Sequence, residues 1–148
     1  MDRYRAANIL LVEDNADHAE LTLRALKNGN MLNEVFWVKD GEEALDFLYR
    51  RGRYADPARA LRPDLILLDI KLPKVDGHEV LRTIKNDEKL RTIPVVMLTT
   101  SGEANDVNES YQAGVNSFVT KPVSFREFVE TVKSVKLYWV LTNIPAEA

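Results

Sequence analysis

Leu65-Ile66-Leu67-Leu68-Asp69-Ile70-Lys71-Leu72-Pro73 is the stretch that decides the architecture of this chain. Four consecutive apolar residues run straight into a carboxylate. An apolar run without polar alternation suits a strand buried on both faces of a parallel sheet. Pro73 disfavours continuation as strand or helix, so Asp69 falls where the strand ends. Helices cover the faces of a parallel sheet, and ligands meet it at the carboxyl ends of its strands. An acid there is either a candidate for chemistry or the cap of the next loop. The stretch alone leaves both open.

Outward toward the N-terminus, Val35-Phe36-Trp37-Val38 predicts another strand and Asp40-Gly41-Glu42-Glu43 a capping box, with Asp40 as cap. The helix behind it turns Ala44, Leu45, Phe47 and Leu48 inward. Arg50 to Arg62 is a basic, proline-containing connection expected to be irregular. Farther out, Ile9-Leu10-Leu11-Val12 is a first buried strand that ends in Glu13-Asp14-Asn15. Either Asp14 or Asn15 can cap the next helix, where Ala19, Leu23 and Leu26 fall at helical spacing and Gly29 supplies a stop.

Toward the C-terminus, Asp76-Gly77 makes a turn and opens a helix with Val80, Leu81 and Ile84 at core spacing. Ile93 to Thr99 is the fourth strand, with Pro94 at its start. Ser101 caps a helix over roughly Ala104 to Ala113 that buries little beyond Val107 and Tyr111, so its packing is expected to be marginal. Ser117 to Thr120 is a short fifth strand, followed by Lys121-Pro122. Ser124 opens a long last helix striped by Phe128, Val129, Val132, Val135 and Trp139. Five strands alternating with five helices predict a parallel, doubly wound α/β domain with strand order 2-1-3-4-5.

Composition narrows the functions open to such a domain. At 148 residues the chain is the size of one domain, residues 1–148. A formal net charge of −3 and a pI near 5.5 argue against nucleic acid as a main ligand, since phosphate backbones select basic faces. There is no cysteine, which excludes disulfides, thiolate metal sites and thiol catalysis. The only apolar run near the start, Ile9 to Val12, is too short for a signal-peptide core, and no stretch reaches membrane-spanning length. A cytoplasmic protein is expected.

The polar residues gather at one edge. Glu13 and Asp14 follow strand one, Asp69 ends strand three, Thr99 ends strand four and Lys121 follows strand five. Strands one and three are neighbours in the predicted order, so three carboxylates should converge in a shallow pocket. Like charges that close cannot all stay ionised without a counter-charge. A hard divalent cation such as Mg²⁺ answers this, because it takes oxygen ligands from carboxylates, water and phosphate. Lys121 and Thr99 are expected to approach from the other side, offering a point charge and a hydroxyl to an anion. The set suits phosphoryl transfer to a carboxylate, with Asp69 the best-placed nucleophile. Each residue alone reads more readily as a cap or a solvated loop charge; their recurrence at successive strand ends favours chemistry.

These residues resemble the receiver domains of two-component response regulators. The resemblance rests on Val12-Glu13-Asp14-Asn15, on Asp69 with Pro73 four residues later, on Asp76-Gly77, on Leu98-Thr99 and on Lys121-Pro122, and it runs from about Asn8 to Leu141. It implies a flavodoxin-like fold in which Asp69 is the phosphoacceptor for a histidine kinase. Glu13, Asp14, Asp69 and the backbone carbonyl of Lys71 would hold Mg²⁺. Thr99 and Lys121 would contact the phosphoryl group, with a cis Lys121-Pro122 bond. Phe118 occupies the place of a switch aromatic, where plain core packing is an equal reading. Thr99 and Phe118 would then change packing on phosphorylation and reshape the surface around the fourth helix. The resemblance implies self-phosphorylation and dephosphorylation, not a turnover enzyme.

Three departures stand out. The acidic pair is Glu-Asp and not Asp-Asp, Thr100 replaces a frequent alanine, and Lys71 occupies a position that tunes phosphoryl lifetime in the family. With only Thr142 to Ala148 after the last helix, a stand-alone receiver without an output domain is expected. The Arg50–Arg62 connection, the Ile93–Ser101 run and the aromatic-rich final helix are similar to regulators that partner bacterial phytochrome histidine kinases. Those regulators tend to dimerise through the fourth-helix, fifth-strand and fifth-helix face, which here would carry Tyr111, Phe118, Tyr138 and Trp139. Leu137 to Leu141 is apolar on every side, more than one inward stripe needs. An end of this helix folded onto its own domain is the alternative.

Rival readings fit less well. A dehalogenase-type phosphatase needs a second acid two residues after its nucleophile, and Lys71 stands there. A flavin-binding protein of this fold needs a phosphate cradle where Glu13-Asp14 would repel one. No Gly-rich Gly-Lys-Ser/Thr run follows strand one, so a P-loop is absent. A degenerate receiver used only for docking or dimerisation remains the alternative.

Overall fold

A computed structural model of the protein describes residues 7–27, 33–56, 61–70, 72–99, 117–121, 126–127 and 130. Five strands, β1 Ala7–Val12, β2 Asn33–Val38, β3 Leu65–Asp69, β4 Val95–Thr99 and β5 Ser117–Thr120, form one sheet. Every pairing is parallel and the order is β2-β1-β3-β4-β5, as the sequence predicts.

The apolar runs do not alternate because both sheet faces are covered. Leu10, Val12, Ile66, Leu68, Val95 and Met97 face one cluster, completed by Ala44, Phe47, Val80, Leu81 and Ile84 from two helices. Ile9, Leu11, Leu65, Leu67, Val96, Leu98 and Val119 face the other, against Ala19, Ala25 and Leu26. All of these strand residues are fully buried. Each such side chain contributes about 1.5–3 kcal/mol relative to an exposed one, which makes the sheet the core.

Three helices are present among the described residues: α1 Ala16–Lys27, α2 Gly41–Tyr49 and α3 Gly77–Asn86. Asn15 is the cap of α1, its Oδ1 accepting from the N–H groups of Asp17 at 2.9 Å and His18 at 3.1 Å. Asp40 caps α2 by accepting from Glu43 N at 2.7 Å. Glu43 reaches back one residue farther than a standard capping box, to the N–H of Lys39 at 2.8 Å. α2 closes at Arg50 in the left-handed conformation, φ 54°, a place glycine usually takes.

The first part of the connection after α2 is regular, where its sequence suggests an irregular segment. Gly52–Tyr54 forms a 3₁₀ turn, and it buries Tyr54 with its ring edge-on to Phe47 at 5.1 Å. Strand β4 begins at Val95, two residues later than expected. Leu90, Arg91 and Ile93 donate in tight backbone turns before it, and Pro94 contributes only a carbonyl, to Ile66 N at 3.0 Å.

Gly77 has a strict reason at the start of α3. Its N–H donates to Ile70 O at 3.1 Å, and a Cβ there would lie 2.3 Å from Asp69 O and 2.4 Å from Ile70 O. The helix N-terminus can therefore sit directly on the end of β3.

The helices expected over Ala104–Ala113 and beyond Ser124 lie outside the described residues, although Arg126, Glu127 and Glu130 are helical. Lys71, Thr100, Tyr111, Pro122, Tyr138 and Trp139 also lie outside them. No helix among the described residues is long and apolar enough to cross a membrane.

Candidate functional site

Strand register builds the site. Val12 pairs with both Val38 and Leu68, Asp69 with Leu98, and Thr99 with Thr120, so the strands end nearly level. Residues just at or past those ends share one edge. A carboxylate of Glu13, one of Asp14 and one of Asp69 lie within 4.8 Å of one another.

Their burial differs. Glu13 is wholly buried, Asp69 is 8% exposed, and Asp14 is exposed. The pocket is thus deeper at Glu13 than the shallow basin expected from sequence. Glu13 N donates to Val38 O at 3.0 Å, continuing the β1–β2 ladder one residue past the strand. Asn15 N donates to Glu13 Oε2 at 3.2 Å.

Lys121 completes the cluster. Its N–H donates to Thr99 O at 2.7 Å, which brings the start of the loop after β5 onto the end of β4. Its Nζ donates to Asp69 Oδ2 at 2.9 Å and stands 2.6 Å from Glu13 Oε1. The sequence reading has Lys121 approaching an anion from the far side; in the structure it stands between two of the carboxylates. The reason is electrostatic: with its side chain 9% exposed, the ammonium needs these partners to offset lost hydration. Burial depresses its pKa, yet pairing with Glu13 and Asp69 outweighs that, and the net displacement is upward.

One ammonium does not balance three carboxylates. Burial raises the Asp69 carboxyl to about 7, the adjacent Glu13 carboxylate adds to the rise, and Lys121 opposes it. Among the described residues the Lys121 ammonium, 2.6 Å away, is the partner of Glu13 Oε1, and the same ammonium also serves Asp69. A cluster of three carboxylates that shares one ammonium, and so carries excess negative charge, fits a hard divalent cation. Glu13, Asp14 and Asp69 are the side chains that would hold it.

Thr99 is buried at the end of β4, one residue past Leu98, the partner of Asp69. Phe118 is half-buried and packs against the cluster that contains Ile66 and Met97. The structure therefore brings together Glu13, Asp14, Asp69, Thr99 and Lys121, and it places Phe118 one layer behind them. The carbonyl of Lys71 and the face carrying Tyr111, Tyr138 and Trp139 fall outside the described residues.

Two neighbours escaped the sequence reading. His18, in the first turn of α1, places Nδ1 3.4 Å from Lys121 Nζ. Its position one helical turn after Asp14 is the signal that points it toward this edge. Trp37 donates from Nε1 to Glu13 O at 2.8 Å. Nothing in the local sequence of β2 announces that bond.

The family model described as response regulator receiver domain matches residues 9–133. The probable methanogenesis regulatory protein FilR2 of Methanothrix harundinacea is 46% identical over 135 residues, 91% of this chain and 84% of that protein. The response regulator Rcp1 of Synechocystis is 40% identical over 139 residues, 93% of this chain and 92% of that protein. A structure of the Mn²⁺-bound form of Rcp1 has a TM-score of 0.74 at 39% identity, covering 95% of this chain and 99% of that one. The bacteriophytochrome response regulator AtBRR superposes with a TM-score of 0.83 at 49% identity, covering 94% of this chain and 99% of that one.

Proposed function

The chain belongs to the response regulator receiver domain family, and from that membership we propose that it accepts a phosphoryl group on Asp69 from a histidine kinase in a Mg²⁺-dependent reaction. The observation that carries the proposal is the Lys121 ammonium, which stands between Glu13 and Asp69 in an acidic cluster at the strand ends. In the reaction an Asp69 carboxylate oxygen forms a bond to phosphorus while the bond from phosphorus to the kinase histidine nitrogen breaks. Glu13, Asp14, Asp69 and the Lys71 carbonyl would hold Mg²⁺, which would supply charge neutralisation for the phosphoryl oxygens. Lys121 exchanges its Asp69 oxygen for a phosphoryl oxygen, and the Thr99 hydroxyl donates to another. Because burial pushes the Asp69 carboxyl up, Lys121 also serves to keep the nucleophile ionised.

In this reading the fold is completed by two further helices, over Ala104–Ala113 and from Ser124 onward. The chain folds as one receiver domain and works in the cytoplasm. It turns over no separate substrate and binds neither nucleic acid nor membrane. Movement of Thr99 and Phe118 on phosphorylation alters a face that includes Tyr111, Tyr138 and Trp139, and that face forms a homodimer. The signal leaves through changed protein contacts or onward phosphotransfer. Similarity to the bacteriophytochrome response regulator AtBRR supports a phytochrome-type histidine kinase as partner.

The deciding experiment is intact mass after incubation with acetyl phosphate, with and without Mg²⁺, for the wild type and Asp69→Asn. A phosphate-sized gain that needs both Mg²⁺ and Asp69 is expected. No gain in any condition would leave a docking or dimerisation module as the better reading. A monomer mass independent of concentration and phosphorylation by light scattering would remove the homodimer.

A further inference from the structure

Trp37 lies one residue before the end of β2, on the sheet face that packs against Ile9, Leu11 and Leu26. Its indole Nε1 donates to Glu13 O at 2.8 Å, and Glu13 N donates to the carbonyl of the adjacent Val38 at 3.0 Å. Glu13 is therefore fastened to β2 at both ends of its backbone. The second bond is an ordinary continuation of the ladder. The first is not, because it comes from a side chain.

The carbonyl of Glu13 and the N–H of Asp14 belong to one planar peptide unit. A donor that fixes that carbonyl also fixes the direction in which Asp14 leaves the strand. Asp14 is the carboxylate with the least packing to hold it, since it is exposed while Glu13 is fully buried. The Trp37 ring is itself held, half-buried in the core and with Lys39 Nζ 5.6 Å from its centroid. A rigid, partly buried donor aimed at the backbone of a ligand pair is how a supporting residue sets metal geometry.

We propose that Trp37 is a positioning residue for the cation site: its indole N–H orients the Glu13–Asp14 peptide so that both side chains address one metal ion. This rests on the Mg²⁺ reading of the site. The chemistry needs the N–H and not merely the aromatic bulk, so removing the donor while keeping the ring should weaken cation binding and leave the fold intact.

The test replaces Trp37 with benzothienylalanine, in which sulfur takes the place of the indole N–H at nearly constant shape. Mn²⁺ affinity is measured by electron paramagnetic resonance of the free ion, Mg²⁺ affinity by competition, and thermal unfolding in EDTA. The expected result is an affinity about fivefold weaker, the size of one net hydrogen bond, with the unfolding temperature in EDTA lowered by about 2–4 °C at most. Phosphate gain from acetyl phosphate should be slowed below Mg²⁺ saturation and restored at saturation. Unchanged metal affinity overturns the proposal. So does a deficit in phosphate gain that persists at saturating Mg²⁺, which would assign Trp37 to the fold alone. Failure of the unaltered protein to bind Mn²⁺ overturns the cation reading as well, and the two failures are told apart by that control.

Discussion

Lys121 Nζ bridges Asp69 Oδ2 at 2.9 Å and Glu13 Oε1 at 2.6 Å, joining the loop after β5 to the ends of β1 and β3. All three side chains are almost fully removed from water, so the pairing is only weakly screened. Truncating the lysine leaves two buried carboxylates facing each other. Lys121→Met is expected to cost about 3 kcal/mol of stability at pH 8 in EDTA. Added Mg²⁺ should restore part of the loss, because a cation replaces the missing charge. Urea unfolding of both proteins with and without Mg²⁺ checks this, and an equal loss in both conditions would count against a shared site.

Asp69 predicts a pH dependence. Its carboxyl sits at about 7 in the folded, metal-free protein, raised from 3.8 chiefly by burial. Between those values the folded state holds a proton that the unfolded chain has released. The contribution of Asp69 to stability is therefore full below about pH 4 and is lost as pH rises through 7. Asp69→Asn removes the ionisation and should be more stable than wild type by about 2 kcal/mol at pH 8 in EDTA, with the gap closing toward pH 5. Unfolding curves across this range that run parallel for the two proteins would contradict the assignment.

Gly77 leaves no room for a side chain between α3 and the end of β3. Gly77→Ala must push on the carbonyls of Asp69 and Ile70, which are backbone atoms that cannot swing aside. We expect a loss of about 1–3 kcal/mol together with slower phosphate gain, since the displaced strand end carries the phosphoacceptor. A variant that is destabilised but gains phosphate at the normal rate would separate helix packing from the site.

Lys71 and Thr100 border Asp69 and Thr99 in sequence, at positions linked by family resemblance to phosphoryl lifetime and access. Lys71→Ala or Thr100→Ala should change the dephosphorylation rate of the phosphorylated protein, followed by intact mass over time. Unchanged rates in both variants would sink that idea.

Much of the fold was legible in sequence because its causes are local or periodic. Leu65 to Leu68 and Val95 to Leu98 are apolar without alternation, and the structure buries every one of them on two covered faces. Asp40 was readable as a cap because a short acceptor side chain reaches only the N–H groups of the next turn. Tyr54 was hidden in an apparently irregular stretch, since its burial depends on Phe47 from a different element.

What the sequence by itself determined is the set of strands, their parallel order and the list of polar residues at the strand ends. Tertiary structure alone decided how those residues meet. Lys121 and Asp69 are 52 residues apart, and Trp37 lies 24 residues from the carbonyl it binds. Periodicity places a side chain on a face, but the distance between two faces or two strand ends follows from register and packing over the whole sheet. The ion pair between Lys121 and the two acids, and the indole clamp on Glu13, exist only after that packing is complete.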